Sequence, residues 1–326
     1  MKGGIKENDC PLLLENILPT VLCAGEVAGT LTKEGAAFID VSGNLEPGVV
    51  FCPPEGDAGT GMVATNSIRQ KTGNISAGTS AFAMIVLENE LSMVYEEFDI
   101  VHTPDGSVTA MVHSNNCTTE INSWVALFSE ALKEFGIDIN TSELFEILFK
   151  KANEGDTDCG GLMAYCFHSG EHLLGLSNGC PMFLHDTEAK FNLANFMRTQ
   201  IYTAFSVLKS GLDLLKNNEN VTLDKITGHG GIFKTTGVAQ NILAAAINTP
   251  VAINAAAGEG GAWGIAVLAA YLEKSKETPL DDFLNNIIFK DAEITVANPN
   301  PKTVDGYVKF MKNYNKYLKA EYSIIS

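Results

Sequence analysis

Residues 55–80 narrow the choice of fold more than any other segment of this 326-residue chain. The segment opens as Glu55-Gly56-Asp57-Ala58-Gly59-Thr60-Gly61 and closes as Thr72-Gly73-Asn74-Ile75-Ser76-Ala77-Gly78-Thr79-Ser80. Asp57 lies among the small residues Gly56, Ala58 and Gly59, so a substrate can approach its carboxylate closely. Gly78-Thr79-Ser80 reads as the turn of a hairpin between strands over 74–77 and 81–87. Its backbone N–H and hydroxyl groups are donors of the kind that hold phosphate. A carboxylate facing a phosphate loop suggests phosphoryl transfer.

The flanks fill in an α/β pattern. Residues 33–39 read as a short helix, 48–52 as a short buried strand, and 59–68 as a helix, which puts Asp57 in the loop between the last two. Residues 108–112 continue the sheet. Two helices follow, one around Trp124, Leu127 and Phe128 and one over 141–151, packed together. Residues 165–171 read as an irregular loop ending in Ser169-Gly170-Glu171. Met197, Ile201, Phe205, Leu208, Leu212 and Leu215 recur at helical spacing and mark the core stripe of a long helix.

Two strand, glycine turn, helix units come next. Lys225-Ile226-Thr227 runs into Gly228-His229-Gly230-Gly231 and a helix carrying Val238, Ile242, Leu243 and Ile247. A strand over 251–254 leads to Gly258-Glu259-Gly260-Gly261 and a helix reaching Tyr271. Glycine at such junctions lets the backbone approach a ligand, and a helix N-terminus favours anions. Residues 301–322 read as an amphipathic helix with Val304, Val308, Met311 and Leu318 inward.

Composition excludes some partners. A formal net charge of -17 argues against nucleic acid, which clustered Lys and Arg bind. No apolar run approaches the roughly 18 residues of a membrane helix, and no signal-peptide core follows the N-terminus, so a cytoplasmic chain acting on small molecules is expected. The seven cysteines include no Cys-x-x-Cys, which argues against a disulfide framework. Cys159, Cys166, His168 and His172 match no standard zinc spacing and read as buried thiols beside polar loop histidines.

Taken in order, Gly56-Asp57, Gly78-Thr79-Ser80, Ser169-Gly170-Glu171, the Gly228–231 turn with Gln240, and Glu259-Gly260-Gly261-Ala262-Trp263-Gly264 resemble the FGGY family of carbohydrate kinases, its xylulose kinase branch most of all. The resemblance implies an α/β, actin-like ATPase (ribonuclease-H-like) lobe, essentially the C-terminal half of a two-lobe sugar kinase. Residues 1–68 would be the end of the first, sugar-side lobe and 69–326 the second, ATP-binding lobe. Asp57 would be catalytic, as general base on a sugar hydroxyl. Gly78, Thr79, Ser80, Gly230, Gly231 and Thr235 would hold the nucleotide, with Mg2+ accompanying ATP. The partners implied are a sugar substrate and either a first lobe outside this chain or a second copy.

Three departures from the family pattern stand out. Ala58 follows the aspartate where xylulose kinases carry a polar residue, the glutamate of the family's long helix falls at Ile201 or Tyr202, and the chain starts where such a kinase is nearly halfway through. Asp57-Ala58-Gly59-Thr60 also spells the first phosphate motif of actin-like ATPases, but that motif sits in a hairpin turn, whereas 62–68 reads as helix; the catalytic-base reading is favoured. A catalytically silent nucleotide-binding subunit is the second reading. A Rossmann dehydrogenase fits poorly, because the glycine spacing at 228–231 is wrong.

Overall fold

The structure is a computed structural model that describes residues 17–254 and 260–325. Its centre is a seven-stranded sheet. In chain order the strands are β3 (Thr72–Ala77), β4 (Ala81–Val86), β5 (Asp99–His102), β6 (Val108–Ser114), β9 (Lys225–His229), β10 (Val251–Asn254) and β11 (Ile294–Ala297). Two-stranded sheets flank it, β1 (Gly29–Thr30) with β2 (Val50–Phe51) and β7 (Met163–Tyr165) with β8 (Met182–Leu184).

The sheet order is β11-β10-β9-β3-β4-β6-β5. β3, β9 and β10 run parallel, while β4, β6, β5 and β11 each run antiparallel to their neighbours. Counted from β3, the inner five strands lie in the order 3-2-1-4-5, three antiparallel and then two parallel to the first. This is the ribonuclease-H-like lobe of actin-like ATPases that the motif order implied.

Both faces are covered, which explains why β4, Ala-Phe-Ala-Met-Ile-Val, is apolar at every position. Its Ala81, Ala83 and Ile85 enter the larger core, with α3 (Thr119–Glu134), α4 (Thr141–Ala152), α5 (Leu193–Glu219), α6 (Ala239–Ile247) and α9 (Pro301–Tyr317). Its Met84 and Val86 enter the smaller core, with α2 (Asp57–Ala64), α7 (Gly260–Tyr271) and α8 (Leu280–Phe283). All six stripe residues of α5 are buried, as the periodicity predicted. Asn192 accepts the Asn195 N–H at its start, and Asn220 in the left-handed region (φ 54°) ends it.

Several local expectations need correction. Residues 48–52 are not a buried strand: only Val50–Phe51 is extended, and both side chains are 46 % exposed, because β2 pairs with two residues of β1 and no described layer covers it. The helix expected over 59–68 starts earlier, at Asp57, and ends at Ala64. Tyr165 belongs to strand β7 rather than to a loop. Val308 faces outward, 58 % exposed; Tyr307, Phe310, Met311 and Tyr314 form the inward face of α9, and a break at Leu318 separates it from α10 (Lys319–Ile325). Gly258 and Glu259 lie outside the described residues.

Although Ala24 packs against the smaller core and Gly25 O accepts the Ser275 hydroxyl, most of residues 17–56 lie outside this layering. Their buried side chains are Leu31, Ala36 and Pro53, while Phe38 on α1 (Lys33–Ile39) is 89 % exposed and Val41 98 %. By contrast Met62, Val63 and Ile68 insert fully beneath the sheet.

Candidate active site

The parallel strands set the site's position, since ligands of open α/β sheets gather at the carboxyl ends of strands. β3 ends at Ala77 and turns through Gly78-Thr79-Ser80 into β4; its neighbour β9 ends at His229 and passes through Gly230 into a 3-10 turn, Gly231–Phe233. Gly230 has φ +110°, and a Cβ there would lie 2.3 Å from the Ala77 carbonyl oxygen. Only glycine lets the two turns sit side by side at this point.

The turn is held from behind. Cys117 N–H donates to Thr79 O (2.9 Å), and the Thr118 amide and hydroxyl both donate to Gly78 O (3.1 and 2.8 Å). The residues just before them are pinned by Glu171, whose buried carboxylate accepts from Asn115 N–H, Ser114 Oγ and Asn116 Nδ2 at 3.1–3.3 Å. Burial pushes that carboxyl above its ordinary value, with the three donors opposing the shift. Glu171 therefore braces the segment that holds the phosphate-type turn. Among the described residues nothing accepts the Thr79 or Ser80 N–H, while the Gly78 N–H is taken by Ser80 O (2.9 Å).

In front of the turn lies a cavity of about 770 Å³, within the usual range for small-molecule sites. Gly78 and Thr79 form one side and Gly231, Lys234 and Thr235 the other; α3 and α4 close it with Ile121, Phe145 and Phe149. The Phe145 and Phe149 rings lie 5.7 Å apart, tilted by 48°. Of the residues named from sequence, Gly78, Thr79, Gly231 and Thr235 line this cavity. Ser80 and Gly230 support the two turns without lining the cavity. Phe145, Phe149 and Lys234 were missed, since nothing local distinguishes an apolar helix face turned to a cavity from one turned to a core.

Asp57 occupies the other face of the sheet at the same edge. Thr65 Oγ1 at the end of α2 lies 3.3 Å from Asn74 Nδ2, early in β3, and Thr60 packs against the first turn of α7, where a Cβ at Gly264 would meet Thr60 O at 2.0 Å. α2 therefore runs back along the sheet and presents its N-terminus where the parallel strands end. Asp57 is its first residue, with an exposed side chain. Glu55, partly desolvated and with its carboxyl shifted up by burial, lies against Gly59 beside it. His229, on the same face as Ser76 and Asn74, has a buried Nε2 without a partner among the described residues, and burial pushes its pKa down.

Among the described residues no three His, Cys, Asp or Glu side chains converge as a metal site. Cys159 and Cys166 are buried thiols with pKa values pushed up, and His168 pairs with Glu120 at 2.7 Å. No described helix is long and apolar enough to cross a membrane.

Residues 73–273 match the model of the C-terminal domain of the FGGY family of carbohydrate kinases. The chain belongs to the FGGY family. A xylulose kinase from Haemophilus influenzae is 23 % identical over 320 residues, covering 95 % of this chain and 58 % of its own length. A ligand-bound xylulose kinase from Lactobacillus acidophilus superposes with a TM-score of 0.74 at 16 % identity, over 94 % of this chain and 58 % of that one. A gluconate kinase from the same organism gives 0.73 at 16 %, with the same coverage. This FGGY chain thus spans somewhat over half the length of the relatives it matches, and kinases of two different sugars resemble it equally in fold.

Proposed function

We propose that this chain carries the nucleotide side of an ATP-dependent kinase that phosphorylates a ketopentose-like sugar. The observation that carries the reading is the pairing of a 770 Å³ cavity between the Gly78-Thr79 and Gly231–Thr235 turns with a carboxylate, Asp57, at the same sheet edge on the opposite face. In this reading the base of ATP lies against Ile121, Phe145 and Phe149, whose apolar surfaces suit a purine. The free Thr79 amide and Lys234, both on the cavity wall, take the phosphates. Mg2+ would come with the ATP phosphates and neutralise their charge, since no cluster of three His, Cys, Asp or Glu side chains among the described residues offers it a site of its own. Asp57 accepts the proton of the attacking sugar hydroxyl while the turns hold the developing charge.

The domain division follows the same proposal, with residues 1–68 closing a sugar-side lobe and 69–326 forming the nucleotide-side lobe, although Met62, Val63 and Ile68 of the first stretch pack into the smaller core of the second. The apolar surface of residues 17–51, with Phe38 and Val41 almost fully exposed, supports it. Such a surface suits further protein, either the remaining length seen in the relatives or a second copy.

Calorimetric titration with a non-hydrolysable ATP analogue tests the nucleotide reading. Binding is expected to the parent protein and to be lost in Gly231→Val, since the branched side chain would enter the cavity. Unchanged affinity in a folded Gly231→Val protein refutes it. A second reading, a nucleotide-binding protein without catalysis, is favoured by the solvent exposure of Asp57. A coupled ADP-release assay over D-xylulose, L-xylulose, D-ribulose and L-ribulose separates the two: ATP binding without sugar-dependent turnover supports the second.

A further inference from the structure

A second cavity, about 740 Å³, lies at the opposite end of the two central strands. Thr72 and Lys225, the first residues of β3 and β9, line it, whereas the turns just past the ends of the same strands line the nucleotide cavity. Six residues of strand at roughly 3.3 Å each put the two about 20 Å apart. They share no residue, so a ligand of one is not a ligand of the other.

The chemistry of its wall is specific. Ile68 is the single apolar side chain in it and no aromatic ring is present, which excludes a nucleobase or a lipid chain. Both signs of charge face the space. Lys71 is paired with Glu88 at 3.1 Å, the Asp105 carboxylate accepts the Thr103 hydroxyl, and that of Asp281 accepts the Asp282 N–H. The side chains of Arg69, Asp224 and Lys225 have no hydrogen bond or ion pair among the described residues, although they share one concavity.

The backbone around it is also constrained. Asn66 (φ 52°) and Lys71 (φ 61°) are two of the five described non-glycine residues with positive φ, and both line this cavity. Asn285, from the π-helical turn Leu284–Ile288, bonds Asn66 across it at 2.8 Å. Left-handed non-glycine residues and π turns cost free energy and concentrate at ligand sites.

Guanidinium and ammonium groups bind a phosphoryl group, and carboxylates and amides accept and donate to neighbouring hydroxyls. We propose that this cavity binds a small phosphorylated sugar or polyol, with Arg69 and Lys225 on the phosphate and Asp224 and Asp281 on its hydroxyls. The site is separate from the nucleotide cleft, and the inference stands whether or not the chain binds ATP.

Titration calorimetry on the full 326-residue protein tests it, with D-ribulose 5-phosphate as probe and D-ribulose and inorganic phosphate as controls. The sugar phosphate is expected to bind at least about tenfold more tightly than either control, because it engages both halves of the site. Arg69→Ala and Asp224→Asn are each expected to weaken it by about tenfold or more, as loss of a charge-assisted hydrogen bond does. Both side chains are exposed, so both variants should melt like the parent. Absence of saturable binding, equal affinity for phosphate alone, or affinity unchanged in both variants overturns the proposal.

Discussion

Glu321 offers a sharp test of how the C-terminal helix is held. It lies in α10, 0 % exposed, and neither carboxylate oxygen has a hydrogen-bond partner among the described residues. Tyr165 of β7 lies close enough to feel its charge, and the Cys180 backbone amide opposes the shift by favouring the charged form. Burial pushes its pKa up from 4.5 to about 7. A raised carboxyl pKa means that the unfolded chain loses its proton first. Stability is therefore fullest below about pH 4.5, falls as pH rises through the interval, and levels off above 7. At 1.36 kcal/mol per pKa unit, the loss attributable to this group between pH 5 and 8 is about 2–3 kcal/mol.

Urea unfolding of the parent and of Glu321→Gln at pH 5 and pH 8 measures this loss. The neutral amide keeps the shape and removes the titration. The variant is expected to gain about 2–3 kcal/mol on the parent between the two pH values. Comparing the two proteins cancels the general repulsion of an acidic chain, which both feel equally. A pH dependence that is the same in the parent and in Glu321→Gln refutes the reasoning, since it would mean that Glu321 is not held unpaired in the folded state.

Two further outcomes are expected. Gly230→Ala forces a Cβ to within 2.3 Å of Ala77 O at a left-handed φ, so it should cost about 1–2 kcal/mol from the backbone alone and weaken ATP-analogue binding, with chemical denaturation and calorimetry as the measurements; wild-type values in both would show that the turns do not depend on that contact. In any preparation that phosphorylates a pentulose, Asp57→Asn should lower kcat by roughly 10² to 10⁴ with nucleotide affinity unchanged, and a fall of less than about threefold would reject Asp57 as the base.

Much of the fold was legible because it rests on short-range signals. The α5 stripe needs only a 3.6-residue period, and the β3–β4 hairpin needs only apolar strands around Gly78-Thr79-Ser80. Glycine turns before helices mark strand ends, so the edge of the sheet where the candidate site lies could be read from residues 225–239. Motif order then gave the family.

Other features depend on partners far away in sequence. Residues 48–52 look like a core strand, since an apolar run reads the same whether or not a layer covers it; only the lack of such a layer among the described residues exposes Val50 and Phe51. Ser169-Gly170-Glu171 reads only as the end of an irregular loop until Glu171 is seen to bind Ser114, Asn115 and Asn116, more than fifty residues earlier. The same holds for Phe145 and Phe149, which line a cavity because the Gly231 turn stands opposite them. Sequence alone thus determined the elements, their order and the residues at strand ends. Tertiary structure decided which of those ends meet, because cavities and buried charges are made by residues distant in the chain.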